Sequence, residues 1–268
     1  MKKNVWRCSA GLSALALALA LGGCDGGAGE GGGASGPGVQ APAADKVTKM
    51  IEDLDRICRE QTVYMVGPEK GARLAELVRA HGPSVVVECG TALGYSGLWI
   101  ARELEKLGKG RLISIELDAD RARQAREHFE QAGLSSRVEV RTGDARELVR
   151  EIREEVDFLF LDCNYSNYEP CYAGIEARLK DGALLVADNA GIGAAGMKDY
   201  LDRVRSRYES ETEWFEIDLP WGKAGRDGGD GLSQGRQVSR LQAQPSSFQG
   251  ARLSLSSQVF ASSFSRKR

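Results

Sequence analysis

The sequence predicts a doubly wound α/β fold with a mostly parallel sheet in a single domain, and three observations predict it. A short β-branched run, Val85 to Val87, ends in Glu88 and passes into a glycine-spaced turn at Gly90, Gly94 and Gly97 before a helical pattern begins. Further apolar runs then alternate with amphipathic helical patterns, which calls for a parallel sheet covered on both faces. Several of those runs close on an acid: Glu116, Asp162 and Asp188. Parallel strands bring such acids to one edge, where a doubly wound sheet holds its ligand.

At 268 residues and a net charge of −2, the chain allows one good-sized domain plus extensions, and its interspersed charges give no reason to expect nucleic acid as a partner. The sequence carries no signal of oligomeric state. Residues 1–24 open with Lys2, Lys3 and Arg7, continue through LSALALALALG and close on Leu21-Gly22-Gly23-Cys24. That is the build of a signal peptide, too short for a spanning helix. The small residues before the cysteine resemble the bacterial lipobox, which implies cleavage before Cys24, a lipid on its thiol and attachment to a membrane of the cell envelope. Asp25 resembles an inner-membrane retention signal. Residues 25–44 are rich in glycine, alanine and proline, a flexible tether spanning roughly 25 Å on average.

The domain is expected over 45–232. Val47, Met50, Ile51, Leu54, Ile57 and Cys58 recur at helical spacing, and Pro68 suits the first turn of a second helix with Leu74, Leu77 and Val78 facing inward. Strands are then expected at 84–89, 111–116, 137–141, 156–161, 183–187 and 213–219, with helices at 95–107, 118–132, 144–154, 168–179 and 195–208. Asp230-Gly231-Leu232 precedes SQGRQVSRLQ, which reads as a poor strand, and residues 233–268 as an atypical, disordered tail. Cys58, Cys89, Cys163 and Cys171 lack metal-type spacing and read as core thiols, with a Cys163–Cys171 disulfide left open; His81 and His128 read as surface residues.

The glycine turn is spaced Gly90-x-x-x-Gly94-x-x-Gly97, unlike the G-x-G-x-x-G of dinucleotide folds. A nicotinamide dehydrogenase is disfavoured on that ground and by Asp188-Asn189. At the turn, the helix N-terminus offers free N–H groups to an anion. Glu116 can accept two hydrogen bonds from a ribose diol, and Asp144 suits a helix N-cap. Asp162 and Asp188, closing adjacent strands, form an oxygen-rich pair suited to Mg²⁺.

Five ordered blocks carry a resemblance: MVGPEKGARLAELV, VVECGTALGYSGLWIAREL, ISIELDADRARQAREHFEQAGL, VEVRTGDA, and VDFLFLD with LLVADN. Together they resemble the catechol and caffeoyl-CoA O-methyltransferases, which use S-adenosylmethionine (SAM). The resemblance covers roughly residues 45–220. It implies a Rossmann-like class I methyltransferase fold. It implies SAM contacts at Val66, Glu88, Gly90, Gly94, Tyr95, Ser96, Glu116, Asp144, Ala145 and Asp162, with Asp144 and Ala145 at the adenine edge. It also implies Mg²⁺ or another divalent cation on Asp162, Asp188 and Asn189, and a small phenolic or diol substrate whose hydroxyl takes the methyl group. The chain departs from the family pattern after Asp162. Cys163-Asn164 stands where catechol enzymes carry His-Trp, which points away from catechol itself, and Tyr165 stands where the family carries a lysine base. Asp162 and Tyr165 are the expected catalytic pair. The alternative is a non-catalytic lipoprotein that keeps the fold as a ligand-binding module.

Overall fold

In the computed structural model, the described residues are 43–216, 220 and 233–240. The signal, Cys24 and residues 25–42 of the expected tether lie outside them, whereas residues 43 and 44, also expected in the tether, belong to the first helix. No helix among the described residues is long and apolar enough to cross a membrane.

Helices α1 (Ala43–Gln61) and α2 (Gly67–His81) precede the sheet. Pro68 sits in the first turn of α2, where its missing N–H costs nothing, and Gly82 ends the helix in the left-handed conformation, its N–H bonding Val78 O at 2.8 Å. The alternation that follows is β1 (Val85–Cys89), α3 (Tyr95–Lys106), β2 (Arg111–Glu116), α4 (Ala119–Gln131), β3 (Val138–Thr142), α5 (Ala145–Glu151), β4 (Val156–Leu161), α6 (Tyr168–Ile175), β5 (Leu179–Ala187), α7 (Lys198–Arg207), β6 (Glu209–Glu216) and β7 (Ser233–Arg240).

The seven strands form one sheet in the order β3-β2-β1-β4-β5-β7-β6. Five are parallel, and β7 pairs antiparallel with both β5 and β6. The order in which strands are added reverses between the parallel neighbours β1 and β4, the switch point where such folds open a crevice. Strand side chains alternate between two cores. Val86, Leu112, Phe158, Phe160, Leu184 and Val186 pack with α1 to α4, whereas Val87, Ile113, Ile115, Leu159, Leu161 and Leu185 pack with α5 to α7.

Three expectations need correction. Ser233–Arg240 is no tail but an inner strand, paired from Leu184↔Arg240 to Ala187↔Gln237 on one side and with β6 on the other. Its place rests on backbone bonds to two neighbours, which a polar sequence supplies as well as an apolar one. The final crossover helix begins at Lys198, not 195, because residues 190–197 run as consecutive turns through Gly191, Gly193 and Gly196. His81 and His128 are half-buried rather than on the surface, and each bonds a backbone carbonyl, Asp157 O at 2.9 Å and Leu93 O at 2.8 Å. The four described cysteines are free thiols, with Cys58, Cys89 and Cys171 buried.

Candidate active site

The C-terminal ends of β1, β2, β4 and β5 surround a cavity of about 920 Å³. Its centre is the turn after β1. Gly90 has φ 104, and a side chain there would meet the carbonyl oxygen of Asp162 at 2.3 Å, so only glycine lets the ends of β1 and β4 close up. Gly94 caps α3 at φ 93 with no side-chain cap on the first turn, and the N-terminal amides of α3 remain available to a ligand carboxylate. Tyr95 and Ser96 line the cavity beside them.

Glu116 closes β2 with 7% of its surface exposed. Its Oε2 accepts from Ala92 N at 2.7 Å and its Oε1 from Asp118 N at 3.0 Å. The first bond holds Ala92 at φ 46, a left-handed conformation unusual for alanine, and so shapes the glycine turn. Each carboxylate oxygen keeps acceptor capacity toward the cavity. Asp144 caps α5, accepting from Arg146 N at 2.9 Å, and Arg146's guanidinium beside it holds its carboxyl below the usual range. Ala145 lines the cavity beside Asp144, and Val66, at the start of α2, also lines it. Glu88 and Gly94 are not on the cavity wall. Gly94 is needed for packing, since a side chain there would press Phe129 at 3.1 Å, and Glu88 lies fully buried beneath the turn.

At the other end stand Asp162, Asp188, Asn189 and Tyr165. Register pairing of Leu161 with Ala187 puts the two aspartates at adjacent strand ends. Asn189 has φ 56, an outlier of the kind asparagine tolerates and functional sites retain. Among the described residues no three His, Cys, Asp or Glu are grouped to hold a metal. The candidate set is instead two carboxylates and an amide oxygen, hard donors that fit Mg²⁺ when water and substrate oxygens fill the remaining positions. The ring of Tyr165 lies in a seat made by two glycines: a side chain at Gly193 would fall 2.8 Å from the ring, and one at Gly196 3.0 Å from Tyr165 Cβ. Burial, then the charges of Asp162 and Asp188, raise the Tyr165 pKa, so its phenol stays neutral at pH 7.

The structure adds residues that sequence reasoning missed. Lys70, on α2, donates to Asp188 Oδ2 at 2.5 Å with both side chains almost fully buried. The signal was present, because Lys70 shares the inward stripe of Leu74 and Val78. Leu117 lines the cavity while 71% exposed, and Tyr64, Met65 and Ile192 form an apolar lip.

A glycine turn opening onto a bare helix N-terminus, an acid closing the second strand and another capping the helix after the third define a Rossmann-like class I methyltransferase. Comparison with known proteins narrows the class. Residues 87–190 match the family described as "Methyltransferase domain". Catechol O-methyltransferase B of Danio rerio is 32% identical over 183 residues, which cover 65% of this chain and 68% of that protein. The catechol O-methyltransferase of Niastella koreensis is 35% identical over 128 residues, 46% of this chain, and the chain spans only 57% of that relative. An O-methyltransferase from Bacillus cereus, solved in complex with SAH, has a TM-score of 0.61 at 23% identity, covering 72% of this chain and 91% of its own. The chain belongs to the catechol O-methyltransferase family of SAM-dependent O-methyltransferases.

Glu88 supports the site from below. It accepts from Ser96 Oγ at 2.6 Å and Ser114 Oγ at 2.5 Å, and burial raises its pKa from 4.5 to about 7 despite those bonds. Between those values the folded protein keeps a proton that the unfolded chain has released. Stability should therefore fall as pH rises from about 4.5 to about 7 and level off above. The fall attributable to this group is at most roughly 3.5 kcal/mol. Urea unfolding of Glu88→Gln should lack that component across the window; a pH slope equal to the wild type's would remove Glu88 as its source.

Proposed function

We propose that this protein transfers a methyl group from SAM to a hydroxyl of a small phenol or diol, with a divalent cation held by Asp162, Asp188 and Asn189. One observation carries the reading: a single cavity joins nucleoside-type contacts at one end to an oxygen cluster at the other. In this reading Glu116 would accept from the ribose diol, Asp144 and Ala145 would meet the adenine edge, and the N-terminus of α3 would receive the methionine carboxylate; the bound carboxylate of Glu116, the Asp144 cap and the uncapped α3 support it. Tyr64, Met65 and Ile192 offer an apolar face to an aromatic acceptor. The cavity, at about 920 Å³, is of the size that holds a cofactor-sized ligand and a small partner.

Methyl transfer needs an ionised oxygen aligned with the sulfonium methyl. A divalent cation bound to the cluster would supply that ionisation by lowering the pKa of a coordinated hydroxyl. Tyr165 adds little to it. Burial and its acidic neighbours keep the phenol protonated, so the tyrosine is a poor base and brings no positive charge. Its seat against Gly193 and Gly196 suits it instead to orienting the acceptor.

We also propose, on the strength of Leu21-Gly22-Gly23-Cys24 alone, that a lipid on Cys24 tethers the domain to a membrane of the bacterial cell envelope, the inner one where Asp25 acts as a retention signal. A tethered domain that binds SAM without transferring its methyl group is the second reading, favoured by the missing lysine at Tyr165.

Calorimetry with SAM should show Glu116→Ala weakened about ten- to a hundredfold, the loss of charge-assisted ribose contacts worth roughly 1.5–3 kcal/mol. Unchanged affinity would take Glu116 out of the site. Transfer to a panel of phenols should vanish with EDTA and with Asp162→Ala or Asp188→Ala, whereas Tyr165→Phe should retain it within about tenfold, short of the loss of a positioned base. Metal-independent transfer would sink the mechanism, and SAM binding without transfer would favour the second reading. Cys24→Ser should release the protein from membranes on fractionation or leave the precursor uncleaved; a processed, membrane-bound variant would contradict the anchor.

A further inference from the structure

Lys70 stands on the buried face of α2, one turn before Leu74, with 1% of its surface exposed. An ammonium group in such a place is costly unless oxygens receive it. Two do. Lys70 Nζ donates to Asp188 Oδ2 at 2.5 Å and to Asn189 Oδ1 at 3.3 Å. Both acceptor residues also line the cavity, with Asp162 at the neighbouring strand end. The donors assigned above to a divalent cation thus already serve a fixed cation approaching from the protein interior.

We propose that Lys70 is the built-in counter-cation of this oxygen cluster. It holds Asp188 and Asn189 in place when no divalent ion is present, and it weakens the binding of one that arrives. The inference rests on the reading of Asp162, Asp188 and Asn189 as a divalent-cation site. Two effects act in the same direction. Lys70 engages one oxygen of Asp188 and the amide oxygen of Asn189, so it competes for donors. Its charge also repels a second cation across a few ångströms of low-dielectric interior, where screening by water is weak. Two carboxylates neutralise a divalent ion by themselves; with the ammonium present the cluster carries excess positive charge. Lys70 touches the ligands and not the reacting atoms, which makes it a positioning residue, and what it sets is the metal concentration at which the site fills.

The test uses the full chain with Mn²⁺ as probe. Binding is followed by electron paramagnetic resonance, and melting with and without the ion by circular dichroism. Lys70→Met and Lys70→Gln should each bind Mn²⁺ at least about tenfold more tightly than wild type. Both should melt lower than wild type without the ion and gain more on its addition. Asp162→Asn, with Lys70 retained, should weaken binding and so locate the ion. The glutamine variant keeps a polar group beside Asp188 and serves if the methionine variant does not fold. Asp162-dependent Mn²⁺ binding by wild type, with unchanged or weaker binding by a folded Lys70 variant, would overturn the role of Lys70 alone. Absence of Mn²⁺ binding in every chain, wild type included, would overturn the metal reading and this inference with it.

Discussion

The site depends on the approach of two backbones. At Gly90 the chain leaving β1 passes so close to the carbonyl of Asp162 that a single added carbon would lie 2.3 Å from it. Asp162 N in turn bonds Cys89 O at 2.9 Å, and Asp188 N bonds Leu161 O at 2.9 Å, so the ends of β1, β4 and β5 are laced in sequence. This brings the turn that would hold the methionine end of a cofactor next to the acids that would hold a metal. A wider gap would leave two half-sites, each with ordinary chemistry and neither able to align a methyl donor with an acceptor.

Three buried carboxylates beside that turn are accommodated in three ways, and the manner separates their roles. Glu88 is met by two serine hydroxyls and by its own raised pKa, which fits a strut beneath the loop. Glu116 is met by backbone amides of Ala92 and Asp118, which orient the carboxylate and leave acceptor capacity open to the cavity. Asp188 is met by a lysine ammonium. Only the last brings a full opposing charge, and it does so where a metal would compete for the same oxygens.

Much of this was legible in the sequence because its signals are local. β1 is announced by Val85–Val87, β2 by its β-branched and apolar residues up to Glu116, and both strand ends at Asp162 and Asp188 fall where apolar runs stop. β7 was not legible. SQGRQVSR contains one large apolar residue, Val238, and enters the sheet through backbone pairing on both sides, a property that no alternation of side chains reports. Lys70 was missed for a different reason: α2 was read for its apolar residues, and the charged exception on the same stripe carried the information. Tyr165 was placed at the site from its neighbours, but its seat depends on Gly193 and Gly196, whose relation to the ring is purely tertiary.

The order of strands has a consequence for how the protein is made. β7 is the last strand of the sheet in sequence, yet it lies inside the sheet, between β5 and β6. A chain emerging from the ribosome therefore completes β5 and β6 with a gap between them. Until residues 233–240 appear, the hydrogen-bonding edge of β5 stays open, and β6 has no partner from which to take its register. Open edges of this kind invite pairing with other chains. The late segment thus acts as a keystone during synthesis, and any shortening of the chain before it exposes an adhesive edge beside the intact parallel core.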